Sequence, residues 1–326
     1  MREGEQAPPG APRWATVSAP GGRANNEDRA GETATPTGHA FAVADGLGGH
    51  AAGERAAEAC VAALCEALRG APDFSREALG AAFEAGQRAV QEAQARDPAA
   101  AGCRTTAVAL ALAGERALWG HVGDSRLYLF RHGRVIHQTL DHSVPQSLAQ
   151  MGAIRPSEIR RHPDRNRLLR SLGGEGAAEA ALLERPLALQ PGDAFLLCTD
   201  GFWELVDEAE MEQALGEAKD PADWLKRLES RLLAKASGAF DNYTATAVFP
   251  VARAGRGRLG VPVLALALLA ALVLALAVQR CRREPPGLLI GAGAPAHELP
   301  VPEGAPGSPP ALRLQSAAMP SSARGA

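Results

Sequence analysis

Lysine is almost missing from this chain. Three Lys (Lys219, Lys226 and Lys235) stand among 34 basic residues, the rest being Arg. Ala is abundant as well, so the imbalance reads as the codon bias of a GC-rich genome rather than as chemistry. A basic surplus is absent too. The formal net charge is −3, which excludes a global attraction to nucleic acid. Cysteine is scarce and scattered. The five (Cys60, Cys65, Cys103, Cys198, Cys281) include no CxxC pair, and an odd number cannot all pair within one chain. Neither a disulfide framework nor a Cys-rich zinc site is expected; reduced thiols in a cytoplasmic compartment are. No apolar run opens the chain. Residues 1–13 carry Glu3, Glu5 and several Pro and Gly, so they read as a disordered leader and not as a secretory signal. No repeat with a period of 20–50 residues is visible. The remainder is ordinary globular stock, 46% hydrophobic and 22% charged over 326 residues. That is room for one large domain with extras.

Apolar residues run unbroken only late in the chain. VPVLALALLAALVLALAV extends from Val261 to Val278 without a charge. A bilayer core takes about 20 apolar residues, with a range of ~17–25. Helices of soluble domains normally carry a polar stripe, and this run has none, so residues 261–278 are expected to form a single transmembrane helix rather than a buried core helix. Pro262 falls in its first turn, where a missing N–H costs little. A basic juxtamembrane linker, residues 251–260, precedes the run with Arg253, Arg256 and Arg258; Arg280, Arg282 and Arg283 follow it. Arg on both flanks gives the positive-inside rule no vote. The missing secretory signal and the reduced-looking Cys favour a cytoplasmic N-terminal part, and a single-pass protein of the cell inner membrane is expected. Residues 279–326, rich in Pro, Gly, Ala and Ser, cannot bury enough apolar area to order themselves and are expected to be a disordered tail.

Residues 14–250 read as one domain of alternating strands and amphipathic helices. GHAFAVADG is a buried strand ending in a Gly-rich turn. Residues 51–69 and 75–96 carry helical spacing of Leu, Val and Phe. TTAVALALA, RALWGHVG, SRLYLFRHG and RVIHQTL follow in close succession, as in an antiparallel meander. DAFLLCTDG is a further buried strand, residues 208–216 and 223–236 are helical, and YTATAVFP closes the domain with a strand. Strands in a run with helices in pairs indicate an α+β layered sandwich.

Asp recurs where apolar strands end. Asp45 follows FAVA, Asp124 sits in a strand connection, Asp200 follows FLLCT, and Asp241 precedes the last strand; RANNED adds Glu27 and Asp28. Each alone is an ordinary turn residue, since Asp-Gly is a common turn dipeptide. Together, strand ends aimed at one edge would gather carboxylates that repel one another strongly. A bound hard cation resolves that repulsion, and an oxygen-only donor set selects Mg²⁺, Mn²⁺ or Ca²⁺ over Zn²⁺. Two cations roughly 3.5–4 Å apart lower the pKa of a bridging water toward neutrality. The resulting hydroxide can attack a phosphorus in line with its leaving oxygen, with charge neutralised on the equatorial oxygens.

The ordered set, Arg23-Ala-Asn-Asn26-Glu27-Asp28, Asp45-Gly46-Leu47-Gly48-Gly49-His50, Gly123-Asp124-Ser125-Arg126, Asp141-His142-Ser143, His162-Pro163, Thr199-Asp200-Gly201 and Asp241-Asn242, resembles the bacterial PP2C-type (PPM) metal-dependent Ser/Thr protein phosphatases. The resemblance covers residues 14–250. It implies a four-layer αββα sandwich of two antiparallel sheets flanked by helices, and hydrolysis of phosphoserine and phosphothreonine in proteins. It implies two Mn²⁺ or Mg²⁺ ions and a third, weaker one. Asp45 would bridge the two ions, with the Gly46 carbonyl as a further ligand. Glu27 would complete one ion, Asp200 and Asp241 the other, and Asp28 would act through ordered water. Asp124 would bind the third metal, Arg23 the substrate phosphate, and residues 143–171 would form a mobile flap. The implied partners are phospho-Ser/Thr proteins, and anchoring at a membrane would make a membrane Ser/Thr kinase a natural one.

Two positions depart from the family pattern. Leu47 stands where some members carry a His that protonates the leaving group, and Arg104 replaces a small residue before Thr105-Thr106. His50 and His121 read as structural histidines, and Cys103 and Cys198 as core. A catalytically weak or inactive phosphoprotein-binding module of the same fold is the alternative; it predicts a missing metal ligand, and none of the carboxylates is missing. A two-metal nuclease would need a basic groove, for which the flap run Arg160, Arg161, Arg165, Arg167 and Arg170 is the candidate; a solvated loop is the simpler reading.

Overall fold

The computed structural model describes residues 2–3, 11–48 and 52–251, together with 272, 274–276 and 279, which are helical. The chain divides into two units, Met1–Arg258 and Leu259–Ala326, and the fold below is that of the first. Most of the expected transmembrane run 261–278, the linker 252–260 and the tail from 280 lie outside the described residues, as do Gly49 and His50. Among the described residues, no helix is long and apolar enough to cross a membrane.

In chain order, the first half comprises β1 (Arg2–Glu3), β2 (Arg13–Ala19), β3 (Arg29–Thr35), β4 (Gly38–Ala44), β5 (Gly46–Leu47), α1 (Ala52–Arg69), α2 (Arg76–Arg96), β6 (Arg104–Thr105), β7 (Ala107–Ala113) and β8 (Arg116–Val122). The second half comprises β9 (Arg126–Arg131), β10 (Arg134–Gln138), α3 (Val144–Gln150), β11 (Ala181–Leu182), β12 (Leu187–Ala188), β13 (Ala194–Cys198), α4 (Asp200–Trp203), α5 (Glu208–Glu217), α6 (Pro221–Lys235) and β14 (Tyr243–Phe249). One sheet runs β1-β2-β14-β13-β9-β10; the other runs β11-β8-β7-β4-β3, with β12 also on β8. All of these pairings are antiparallel.

Strand composition sorts the layers. In β4 and β7 the large residues Phe41, Val43, Val108 and Leu110 point one way and meet Leu127, Leu129, Phe195 and Leu197 of the opposite sheet. The alternate residues Ala40, Ala42, Ala107, Ala109 and Ala111 point the other way, against α1 and α2. Successive strand side chains face opposite sides, so alternating Ala with branched residues makes one face thin enough for helices to approach and the other thick enough to fill the space between sheets. On the far side Tyr128, Phe130, Leu196, Ala245 and Ala247 pack on Trp224, Leu225, Leu228 and Leu232 of α6. The order helices–sheet–sheet–helices is the expected αββα sandwich. Helix starts follow capping chemistry: Ser75 Oγ accepts from Ala78 N–H (3.1 Å), and Asp220 Oδ1 accepts from Asp223 N–H (2.8 Å).

Two expectations need correction. The four strands β7 to β10 are not one meander: β7 and β8 belong to one sheet, β9 and β10 to the other. The chain changes sheet at Gly123, whose φ of +92° suits glycine and where a Cβ would lie 2.6 Å from Thr106 Cγ2. The leader read as disordered contributes β1, because Arg2 and Glu3 pair with Thr16 and Ala15 on the open edge of β2, satisfying backbone groups that an edge strand otherwise leaves bare.

Candidate active site

The strand ends deliver their carboxylates to one cleft of about 400 Å³, lined among others by Arg23, Glu27, Asp45, Gly46, Leu47, Asp124, Asn166, Leu168, Asp200 and Asp241. Both sheets contribute. Asp45 leaves β4 in one sheet, Asp200 leaves β13 and Asp241 precedes β14 in the other, and Glu27 and Asp124 lie on connections between them.

The backbone under each side chain is fixed by short polar residues. Asp45 N–H donates to Thr106 Oγ1 (3.0 Å), and Asp45 O accepts from Thr106 N–H (2.9 Å) and Thr105 Oγ1 (2.8 Å). Thr106 Oγ1 also lies 2.7 Å from Ser125 Oγ, tying the Asp45 turn to the Asp124 turn. Asn242 performs the same task across the cleft. Its Oδ1 accepts from Glu27 N–H (2.8 Å), and its Nδ2 donates to Pro20 O (2.9 Å) and Asn25 O (2.8 Å). Gly53, at the start of α1, lies so close that a Cβ there would stand 2.1 Å from Glu27 Oε2 and 2.6 Å from Gly46 O.

Burial and mutual repulsion outweigh the nearby arginines in setting the electrostatics. The Asp45 carboxyl is pushed well above the usual range, first by burial and then by the charges of Asp200, Asp28, Asp124 and Asp241. Asp124 is raised well above it by burial and by Asp200. Burial pushes Asp28 up to about 7 against the lowering effect of hydrogen bonds from Thr199 and Thr244. Asp200 is raised to about 6 by burial and Asp241, against hydrogen bonds with Asp45 and Gly201. Asp28 Oδ2 accepts from Thr199 Oγ1 (2.8 Å), while its Oδ1 is buried with no protein partner. Arg23, 54% exposed at the mouth, places Nη2 2.9 Å from Asp241 Oδ2. These features fit a hard divalent cation: an oxygen-only donor set, mutually repelling buried carboxylates and an orphaned buried oxygen. Among the described residues no three His, Cys, Asp or Glu side chains close around a single point as a cage.

The flap lies over this edge. Its base is stitched by bridges between Ser143 and Leu168 and between Thr105 and Leu172, and its Asn166 and Leu168 line the cleft. Ion pairs from Arg160 to Glu208 (2.5 Å) and from Arg165 to Glu204 (2.9 Å) hold it to the α4–α5 side.

Glu27, Asp45, Asp124, Asp200 and Asp241 line the cleft, and Asp28 is not in its lining but is near enough for its charge to raise Asp45. Leu47 does line the cleft, and Arg104 is exposed. His121 is structural: its Nε2 lies 2.8 Å from Leu140 O and its ring stacks on His142, centroids 4.6 Å apart. His162 Nδ1 accepts from Asp164 N–H (3.1 Å), fixing a flap turn. Cys103 and Cys198 are buried, with thiols raised by burial. The sequence reading missed Gly53, Asn166 and Glu204. Burial and the Asp200 charge push the Glu204 carboxyl up to about 7. Its position one helical turn after Asp200 was the available signal.

Fold and site together define a carboxylate-lined αββα sandwich, and the chain belongs to the protein phosphatase 2C family, whose profile matches residues 21–235. The serine/threonine protein phosphatase PstP of Mycobacterium tuberculosis is 36% identical over 223 residues, covering 68% of this chain and 41% of its own length. The chain thus spans about two-fifths of that relative. The serine/threonine phosphatase stp of Listeria innocua is 37% identical over 183 residues, 53% of this chain and 70% of its own. The crystal structure of the PstP catalytic domain in complex with two manganese ions superposes with a TM-score of 0.64 at 33% identity, covering 74% of this chain and 99% of that one.

Proposed function

We propose that this chain hydrolyses phosphoserine and phosphothreonine in proteins with two Mn²⁺ or Mg²⁺ ions held in the carboxylate cleft. The observation that carries the reading is the convergence of Asp45, Asp200, Asp241 and Glu27 with an arginine at their mouth. The names and the manganese pair of the similar proteins support it. Asp45 and the Gly46 carbonyl would hold the ions jointly, Glu27 completing one and Asp200 and Asp241 the other. Asp28 would take part through water and Asp124 at a third, weaker site. Bound there, the ions supply Lewis-acid charge neutralisation and acidify water near neutral pH.

The chain's own residues do the rest. Arg23 offers a planar fork of donors matched to phosphate oxygens. Thr105, Thr106 and Asn242 keep the carboxylates from reorganising as charge develops, which is how a preorganised site lowers a barrier. Leu168 contributes apolar surface at the cleft wall. Leu47 has no ionisable proton to give, so the leaving oxygen would take its proton from solvent or a neighbouring acid.

Residues 261–278 would anchor the domain as a single span at the inner membrane, with the domain in the cytoplasm. Confinement at a surface raises effective concentration toward membrane-bound partners, and a membrane Ser/Thr kinase with its targets fits that placement. The test is hydrolysis of a phosphothreonine peptide by the purified chain with Mn²⁺, with chelator, and with Asp45→Ala. Metal-dependent activity that drops at least a hundredfold in D45A is expected. A folded wild-type chain inactive with every divalent metal would leave a phosphoprotein-binding scaffold instead.

A further inference from the structure

Trp203 ends α4, the short helix that Asp200 begins, and is 2% exposed. Its indole Nε1–H donates to the carbonyl oxygen of Asp124 (3.0 Å). The guanidinium of Arg126 lies over its ring, 3.4 Å from the centroid, and that of the flap residue Arg160 lies 5.5 Å from it. Both cations are anchored. Arg126 forms a buried two-point pair with Asp141 (2.8 and 2.7 Å) and donates to Tyr128 Oη (3.0 Å). Arg160 and Tyr128 both donate to Glu208 Oε1, at 2.5 and 3.1 Å. One indole therefore touches the Asp124 turn, the helix that carries Asp200, and the flap.

Simple core filling does not account for this placement. A Phe would supply the apolar volume and the π face without the N–H. What the indole adds is a donor aimed at the main chain of Asp124, on a turn where the strand leaves one sheet for the other. The Asp124 side chain stands in the cleft among like charges, so its direction must be held against repulsion. Arg160 gives the flap purchase on the same ring through a cation–π contact.

We propose that Trp203 is a positioning residue that fixes Asp124 for its metal and couples the flap to that part of the site. The inference rests on the two-metal reading above. Trp203→Phe keeps the ring and its cation contacts but leaves the Asp124 carbonyl without its donor. A neutral hydrogen bond is worth about 1 kcal/mol, or roughly five-fold in an equilibrium constant. Mn²⁺ binding to the full chain, followed by calorimetry, should show the weakest class of sites weakened about five-fold in W203F, and the Mn²⁺ half-saturation of hydrolysis should rise by the same factor. Arg160→Gln should raise KM for a phosphothreonine peptide and shift the Mn²⁺ half-saturation the same way, with the thermal midpoint little changed. Wild-type Mn²⁺ isotherms in both variants would overturn the inference, and should W203F fail to fold, R160Q decides alone. A wild-type chain that neither binds Mn²⁺ nor hydrolyses the peptide would overturn the two-metal reading and this inference with it.

Discussion

Gly53 shows how a residue with no side chain can belong to the site. Any Cβ there runs into the Glu27 carboxylate and the Gly46 carbonyl, two oxygens of the proposed coordination shell. Gly53→Ala should therefore displace Glu27, lowering Mn²⁺ affinity at least tenfold, and should cost about 1–3 kcal/mol of stability from overpacking. Calorimetric titration and urea denaturation check the two effects. Asp45, Asp124 and Asp200 were legible because each follows an apolar strand and meets a turn signal. Gly53 and Trp203 were not, because what they touch, Glu27 and Asp124, is distant in sequence. Gly53 opens an Ala-rich helix and reads locally as a neutral position. Leu47 and Arg104 were read as departures from a pattern; the folded chain places the first at the cleft wall and the second in solvent.

Elements carry a different lesson. Apolar spacing placed α1 and α2 within a residue of their observed ends and α6 within two, its start at Pro221 being missed, while β4, β7, β13 and β14 followed from apolar runs. The assignment of strands to sheets did not. β8 and β9 are both apolar, and three connecting residues fit a hairpin as well as a change of sheet; the positive φ at Gly123, set against Thr106, decides it. β2 and β3 went unread because RWATVSA and RAGETAT alternate weakly, with polar residues on their outer positions. At this scale the Arg126–Asp141 pair matters most, joining β9 to the start of the flap with both side chains almost wholly buried. Removing one partner strands a buried charge. Arg126→Met should cost about 3–5 kcal/mol in urea denaturation, and Arg126→Met with Asp141→Leu should recover much of the loss. A single variant as stable as wild type would mean that water reaches Asp141.

For the whole molecule the crowding of acids dictates the response to pH. Asp28 and Asp200 are raised from an ordinary value of 3.8 to about 7 and about 6, and burial among like charges raises Asp45 and Asp124 well above it as well. The folded chain thus keeps protons that the unfolded chain has already released. Stability falls with pH wherever the folded state binds more protons. Without divalent ions, the thermal midpoint of the domain should decline as pH rises from about 4 to about 7. Mn²⁺ competes with those protons, so the stabilisation it confers should grow over the same interval. Scanning calorimetry with and without Mn²⁺ tests both; a midpoint rising with pH in chelator would contradict the reading.

The carboxylates of the cleft come from both sheets, and this bears on how the protein comes apart. An ion shared by Asp45 and Asp200 would clip the end of β4 to the end of β13, closing a loop that takes in most of the domain. Long closed loops restrict the unfolded chain more than short ones. The metal would then behave as a reversible crosslink, holding the sandwich shut from its catalytic edge. Amide protons in the two sheets would exchange together rather than sheet by sheet, and a chelator would free the layers to open independently.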